Sequence, residues 1–217
     1  MSKYTGANSP FLSCRIRASN ETEAFFSGMF LFLLSVILAI NDYLCTVEKS
    51  KSHPATAPPR IITCKDNKMI SINLPHSNIK IGGTREKPMV LDILRHRYVA
   101  LTPEEWVRQN FVHYLISELH YPSGLLANEV SMAVGTKRLR ADSVLYDRNM
   151  HPRMIIEYKA PSVKITPKVL EQVATYNLLL HVDYLVMSNG LTHYCCKMDY
   201  ESKKYVFLSE IPAYENL

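Results

Sequence analysis

The strongest constraint on the fold is a pair of apolar segments that carry charges where a buried strand should have none. Residues 140–146 and 154–160 each have the pattern of a strand, yet Asp142 lies in the first, and Glu157 and Lys159 lie in the second. Burying a charged group costs free energy unless a partner compensates it. Because a strand buried on both faces is otherwise apolar, these charges indicate a site within the sheet.

The turn between the two segments predicts how the charges meet. If it closes an antiparallel hairpin centred between residues 149 and 150, Asp142 lies opposite Glu157, and their Cβ atoms are about 5 Å apart. Side-chain alternation places Lys159 on the same face as Glu157. Since facing carboxylates repel each other without a cation between them, the pattern predicts a hard divalent ion such as Mg2+, for which Mn2+ can substitute.

These residues resemble the signature of the PD-(D/E)xK nuclease superfamily, a strand-borne Asp followed by Glu-x-Lys on the next strand. Asp142 and Glu157-Tyr-Lys159 take those places, although Ala141 stands where the name promises proline. Downstream, Gln172-Val-Ala-Thr-Tyr176 looks like the Q-x-x-x-Y motif of RecB-like and type I restriction nuclease domains. On a helix its two polar residues share a face.

The wider run from about Ile70 to Leu217 looks like the N-terminal nuclease-domain family of type I restriction enzyme R proteins. The resemblance implies an α/β fold, a restriction-endonuclease-like mixed β-sheet flanked by helices. It also implies Mg2+-dependent hydrolysis of DNA phosphodiester bonds, with DNA and other restriction or repair subunits as partners. The implied metal ligands are Asp142, Glu157 and the backbone carbonyl of Tyr158, and the other implied catalytic residues are Lys159, Gln172 and Tyr176.

Two further acids are ambiguous. In related nucleases an acid on the first helix can reach the metal, which makes Glu105 a candidate ligand. However, Thr102, Pro103 and Glu105 also form a capping box at the start of a helix, which explains Glu105 without a metal. Glu129, beside the hairpin, is open to the same two interpretations.

Positive charge is unevenly distributed along the chain. From Val90 onward, 14 Lys and Arg residues balance 14 Asp and Glu residues, so the net charge of +5 comes from the first 89 residues. Overall basicity is therefore no evidence for DNA binding. A local cluster, Lys137, Arg138 and Arg140, leads directly to Asp142, where phosphates would approach. A solvated hairpin end is an equally good interpretation of this cluster.

The first 68 residues differ in character from the rest, which predicts an N-terminal extension followed by a nuclease domain over residues 69–217. Residues 24–40 are uncharged, and their length is at the lower limit of a membrane span. They are either a membrane anchor or part of an upstream reading frame, with translation starting at Met69. The second explanation is the simpler. Five cysteines without Cys-x-x-Cys spacing favour the reducing cytoplasm.

Hydrophobic periodicity within residues 69–217 predicts the elements of a mixed sheet. A helix begins after Thr102 with an apolar stripe, and a second begins after Thr166-Pro167. Cys195 and Cys196 are expected to face opposite sides of one strand. The stripe consists of Val107, Phe111, Leu115 and Leu119, and the predicted strands are 128–134, 139–146, 153–159, 184–187, 191–197 and 205–208.

Missing motifs limit the function. The chain has no G-x-x-x-x-G-K-[ST] phosphate loop, so it has no ATP site of that kind. It also has no recognisable helix-turn-helix or zinc finger to read a base sequence. The alternative to a nuclease is a non-catalytic module that binds nucleic acid or a partner protein on a nuclease fold.

Overall fold

A computed structural model describes residues 63–64, 68–69, 72–134, 137–166, 177, 180–202 and 204–217. Within them lie one α-helix that is described over its full length, eleven strands, and two short 3-10 helices at Ser123–Leu125 and Tyr214–Asn216. The helix, α1, is Pro103–Ser117. The strands are β1 Thr63–Cys64, β2 Lys68–Met69, β3 Ile81–Gly83, β4 Pro88–Asp92, β5 Arg97–Ala100, β6 Leu126–Val134, β7 Lys137–Tyr146, β8 Pro152–Tyr158, β9 Tyr184–Ser188, β10 His193–Asp199 and β11 Lys204–Leu208.

The main sheet has six strands in the order β11-β10-β9-β8-β7-β6. Strands β8 and β9 pair in parallel, and the other neighbours pair antiparallel. A parallel pair requires a crossover connection on one face of the sheet. The mixed α/β architecture predicted from the sequence is therefore confirmed, and the six predicted strands of this sheet are all present within two residues of their expected ends.

Helix α1 covers one face of the main sheet. The side chain of Thr102 caps it by accepting a hydrogen bond from the backbone N–H of Glu105 at 3.0 Å, and Pro103 follows at the first helical position. The predicted stripe residues Val107, Phe111 and Leu115 are fully buried. They pack against alternate residues of the central strands, namely Leu145, Met154, Ile156, Tyr158, Val186 and Cys195.

The opposite face of the same strands is also buried. Ala141, Val144 and Ile155 pack there with residues of β9 and β10. Cys196 lies on this face and Cys195 lies on the helix face, as the alternation predicted. Because the centre of the sheet is covered on both sides, any charge on β7 or β8 must find a partner inside the protein.

A second, three-stranded sheet formed by β3, β4 and β5 was not predicted from the sequence. Its residue Val90 packs with Ile72, Leu101 and Trp106 in a cluster beside α1. The turn between β4 and β5 carries Arg95 to Glu129 in β6. This small sheet therefore determines which polar groups reach the edge of the main sheet.

Three predictions fall partly or wholly outside the described residues. The second helix is described only at residues 177 and 180, both helical, and the apolar segment 24–40 is not described at all. Over the part of the chain that is described, no helix has the length and apolarity needed to cross a membrane. The domain boundary at residue 69 stays a prediction.

Candidate active site

Asp142 lies where β7 loses its pairing on both sides. Ser143, Val144 and Leu145 face Ile156, Ile155 and Met154 of β8, and the same register continued by one residue would place Asp142 opposite Glu157, as predicted. At that point the ladder ends. The Asp142 side chain instead accepts a hydrogen bond from the backbone N–H of Tyr158, at 2.9 Å to Oδ2.

The pairing between β7 and β6 is interrupted at the same level. Asn128 faces Ser143 and Val130 faces Ala141, but Glu129 and Asp142 do not pair. Glu129 has a backbone φ of 55°, in the left-handed region that non-glycine residues seldom adopt. Such a conformation costs about 1–3 kcal/mol and persists only where the surroundings impose it. The β6–β7 ladder is therefore interrupted at Glu129 and Asp142 by a strained residue of β6, while the register is the same on both sides of the break.

Glu157 and Lys159 form the second half of the site. Glu157 is 5% exposed, and its Oε1 accepts a hydrogen bond from Nζ of Lys159 at 3.0 Å. Its other oxygen, Oε2, is buried and has no hydrogen-bond partner among the described residues. Burial, together with the negative charge of Asp142, raises the pKa of Glu157 to about 7. A buried carboxylate with one unsatisfied oxygen is an acceptor for a cation that the protein itself does not supply.

The ammonium of Lys159 remains charged in this setting. Burial disfavours the charged form, but the Glu157 carboxylate and the more distant Asp142 hold the pKa of Lys159 above its usual value. A protonated lysine has three donors and no lone pair, so it cannot itself be a metal ligand. Lys159 is therefore available to donate hydrogen bonds to a water molecule or an anion at the site.

Arg108 connects α1 to Asp142. Its guanidinium is almost buried and donates to Oδ1 of Asp142 at 2.9 Å and to Oε2 of Glu105 at 2.8 Å. It also lies over the ring of Tyr158, 5.8 Å from the centroid. With the Tyr158 N–H on Oδ2, both oxygens of Asp142 have a protein donor. The orientation of this carboxylate is thus fixed by a helix and a strand together.

The expectation that a capping box accounts for Glu105 is corrected by its contacts. The Thr102 side chain does cap the helix, but the backbone N–H of Thr102 donates to the carbonyl of Ala100 and not to Glu105. The Glu105 carboxylate, 8% exposed, instead accepts hydrogen bonds from Nε2 of Gln109 and from Arg108. Glu105 therefore belongs to the polar network that orients Asp142.

A second arginine, Arg95, extends this network to Glu129 in β6. Arg95 donates hydrogen bonds to the fully buried Asp92 through Nε and to Oε2 of Glu129 through Nη1. The other carboxylate oxygen of Glu129 accepts a hydrogen bond from Arg108 at 3.4 Å. Asp92 also accepts from Asn128, which in turn accepts from the hydroxyl of Ser143. Hydrogen bonds thus run continuously from the β4–β5 turn to Ser143, which follows Asp142 in β7, and to Glu129, which lies opposite Asp142 in β6.

The donor set is suited to one hard divalent cation. Within the described ranges, Arg95 and Arg108 join four carboxylates by hydrogen bonds and ion pairs, and the Glu157–Lys159 pair lies beside them. The site thus has five carboxylates, those of Asp92, Glu105, Glu129, Asp142 and Glu157, against three cations, Arg95, Arg108 and Lys159. When all are ionised, two negative charges remain uncompensated. No group of three or more His, Cys, Asp and Glu side chains in the described part is arranged to hold a metal. Two carboxylates suit Mg2+, which completes its shell with water and substrate oxygens.

Several predicted site residues are outside the description. Gln172 and Tyr176 are in a part of the chain that is not described. The backbone of Lys137 and Arg138 lies in β7, but their side chains are not described, whereas Arg140 is described and exposed. Their roles, and that of the Tyr158 carbonyl as a ligand, stay predictions.

Arg95, Arg108 and Asp92 were missed in the sequence analysis. A signal for Arg108 exists, because it follows the buried Val107 directly and stands three residues after Glu105, the spacing of a helical ion pair. Only the placement of α1 over β7 shows that this pair reaches Asp142. Arg95 and Asp92 lie in a small sheet whose pattern is too short to indicate a site.

Comparisons with known proteins give one family. The sequence model described as Type I restriction enzyme R protein N terminus matches residues 103–212, about half of the chain. A solved fragment assigned as the HsdR subunit of a type I restriction enzyme from Vibrio vulnificus is 19% identical, with a TM-score of 0.39, over 52% of this chain and 24% of that chain. The chain therefore spans only about a quarter of the length of that fragment. None of the curated proteins matches.

Proposed function

The chain belongs to the family of type I restriction enzyme R protein N termini, and on that premise we propose that it is a metal-dependent endonuclease that hydrolyses DNA phosphodiester bonds in the cytoplasm. The observation that carries the proposal is the buried Glu157 carboxylate, with one unsatisfied oxygen, beside Asp142 and Lys159. A buried carboxylate with an unsatisfied oxygen destabilises the fold, and groups of this kind are concentrated at functional sites.

The proposed ligands of a Mg2+ or Mn2+ ion are Asp142, Glu157 and the backbone carbonyl of Tyr158. When bound, the metal polarises the phosphate and lowers the pKa of a water molecule. Arg108 and the Tyr158 N–H hold the Asp142 carboxylate in a fixed orientation. Lys159 orients the attacking water or donates to the phosphate oxygens that gain charge in the transition state. The roles of Gln172 and Tyr176, in positioning water or the DNA backbone, belong to the same proposal.

DNA is the proposed partner, and other restriction or repair subunits are its proposed context. The printed sequence has no ATP phosphate-loop motif, so a motor for translocation along DNA would have to lie outside these 217 residues. Contacts to phosphates are assigned to Lys137, Arg138 and Arg140. Since they precede Asp142 on the same strand, they would guide the backbone towards the metal. Since the sequence has no recognisable helix-turn-helix or zinc finger to read base edges, we expect cleavage to show little sequence preference.

The experiment is a plasmid nicking assay with Mg2+ or Mn2+ that compares the wild type with Lys159→Ala and Lys204→Ala. Lys204 is an exposed lysine on the edge strand β11, three strands from β8, so it controls for loss of positive charge. We expect Lys159→Ala to reduce the cleavage rate about 100- to 1000-fold, because it removes a contact made in the transition state. Lys204→Ala should cleave like the wild type.

Calorimetry of metal binding completes this test. Lys159→Ala should retain Mn2+ affinity, whereas Asp142→Asn and Glu157→Gln should each lose it. Equal cleavage by the wild type and Lys159→Ala would identify a contaminating nuclease. If the wild-type protein binds DNA but does not cleave it in the presence of any divalent metal, the alternative of a non-catalytic binding module would be supported. That alternative has one observation in its favour, since Arg108 and Tyr158 satisfy both oxygens of Asp142 without a metal.

A further inference from the structure

The Glu129 carboxylate lies between two arginines at the edge of the site. Arg95 donates to its Oε2 and Arg108 donates to its Oε1. Each guanidinium also forms an ion pair with a buried acid, Arg95 with Asp92 and Arg108 with Glu105. The two arginines would therefore keep their positions if the Glu129 side chain moved away.

Glu129 is less firmly held than the arginines that bind it. Its side chain is 31% exposed, against 16% for Arg95 and 7% for Arg108. It projects from the left-handed residue of β6 at which the ladder is interrupted, and β6 pairs only with β7 among the described strands. An edge strand has solvent on its free side. The Glu129 carboxylate can thus leave the arginines for water without breaking the sheet.

The arginines are also incompletely satisfied by one carboxylate. The Nε of Arg108 is buried and has no hydrogen-bond partner among the described residues. A carboxylate offers two oxygens to the pair, and the contact to Arg108 is long at 3.4 Å. A phosphate group offers more acceptor oxygens and matches the fork geometry of guanidinium groups.

We propose that Arg95 and Arg108 form a phosphate subsite beside the metal site, which the Glu129 carboxylate occupies until a nucleic-acid phosphodiester displaces it. Arg108 donates to both Asp142 and Glu129, so the subsite lies one guanidinium away from the proposed metal ligand. The inference rests on the proposed function for its ligand, a backbone phosphate next to the one that is cleaved. Glu129 thereby delays DNA binding and excludes small anions from the site.

The test measures phosphate binding in EDTA, where cleavage cannot contribute. Isothermal titration with inorganic phosphate and with the dinucleotide TpT compares the wild type, Glu129→Gln and Glu118→Gln. Glu118 is the residue that follows α1, about 15 Å along the helix axis from Arg108, so its variant carries the same change in net charge away from the arginines. We expect Glu129→Gln to bind TpT at least about tenfold more tightly than the wild type, and Glu118→Gln to bind like the wild type.

Adding Arg95→Gln to Glu129→Gln should abolish the gain. Unchanged TpT affinity in Glu129→Gln, or an equal gain in Glu118→Gln, would reject the subsite. A gain for inorganic phosphate alone would assign the arginines to free or terminal phosphates and overturn the backbone assignment. If Glu129→Gln does not fold, the Glu129 carboxyl carbon of the 13C-labelled wild type should shift on titration with TpT, and no shift would reject the proposal. Metal-dependent cleavage by the wild type would stand in each of these cases, so the two proposals fail separately.

Discussion

Asp142 and Glu157 are neighbouring carboxylates that the protein stabilises to different degrees. Asp142 has a donor on each oxygen, from Arg108 and from the Tyr158 N–H. Glu157 has only Lys159 on one oxygen, and the other oxygen is buried without a partner. Since an unsatisfied buried acceptor costs free energy, the negative charge of Glu157 opposes folding in the absence of a metal, whereas Asp142 is integrated into the fold.

The first prediction concerns Glu157→Gln in metal-free buffer. The pKa of Glu157 is raised to about 7 by burial, so between its ordinary value and pH 7 the folded protein binds more protons than the unfolded chain. Stability due to this group is therefore present below the ordinary pKa and is lost as the pH rises towards 7. Glutamine resembles the protonated acid at every pH. The free energy of unfolding, measured by urea titration, should favour Glu157→Gln over the wild type increasingly from pH 5 to pH 8.

Asp142→Asn is the matched comparison for this prediction. It loses a charge-assisted hydrogen bond to Arg108, which typically contributes about 1.5–3 kcal/mol. It should therefore be less stable than the wild type at pH 7 to 8, where Glu157→Gln is more stable. If both variants change the free energy of unfolding in the same direction at pH 8, then the hydrogen-bond donors of Asp142 and Glu157 do not make the first carboxylate stabilising and the second destabilising.

At the scale of elements, the turn between β9 and β10 is joined to α1 and to the segment before β3. Gly190 has φ 80°, and its carbonyl accepts a hydrogen bond from the N–H of Asn73. A Cβ at Gly190 would come within 2.8 Å of Cγ2 of Ile72 and 3.1 Å of Cγ2 of Val107. This glycine therefore allows three elements to approach each other closely.

Gly190→Ala should destabilise the protein by about 2–4 kcal/mol, because it combines a strained φ with overpacking. Gly124→Ala is its control, since nothing lies within 4 Å of a Cβ at that position and its φ is unremarkable. That control should change the free energy of unfolding by less than about 0.5 kcal/mol. Chemical denaturation of both variants gives the comparison, and equal effects would contradict the close approach seen at the turn.

Local pattern was sufficient for some elements and not for others. The register of β7 and β8 could be predicted, because in a hairpin the register is determined by the length of the turn and by which alternate residues are buried. The role of Glu105 could not be predicted, because the capping-box pattern takes account only of residues at the helix terminus. In the structure the Thr102 N–H bonds the Ala100 carbonyl, and Gln109 and Arg108 bond the Glu105 carboxylate. Arg95 and Glu129 meet across 34 residues of chain, and no local spacing predicts such a contact.

At the scale of the whole molecule, segments near both limits of the described chain close the core. Ile72 is buried against Val90, Leu101 and Trp106, and Asn73 bonds the β9–β10 turn through its N–H and the ring of His193 through its carbonyl. Near the other limit, the hydroxyl of Tyr121 donates to the carbonyl of Pro212. The folded unit therefore includes residues well before β3, the first strand of the smaller sheet.

The position of the N-terminal boundary follows from these contacts as the last prediction. A chain that begins at Met69 keeps Ile72 and Asn73. Of the described elements it loses β1 and Lys68 of β2, which belong to a hairpin that pairs two residues with two. An isolated hairpin contributes little stability. Such a chain should be monodisperse and unfold cooperatively. A chain that begins at His76 loses the buried Ile72, which is 5% exposed, and both hydrogen bonds of Asn73. Its free energy of unfolding should therefore be about 2–5 kcal/mol lower than that of the chain that begins at Met69. Ile72→Ala in the longer chain should reproduce most of that loss, as measured by urea titration. Aggregation of the chain that begins at Met69 would show instead that residues before 69 are part of the folded unit.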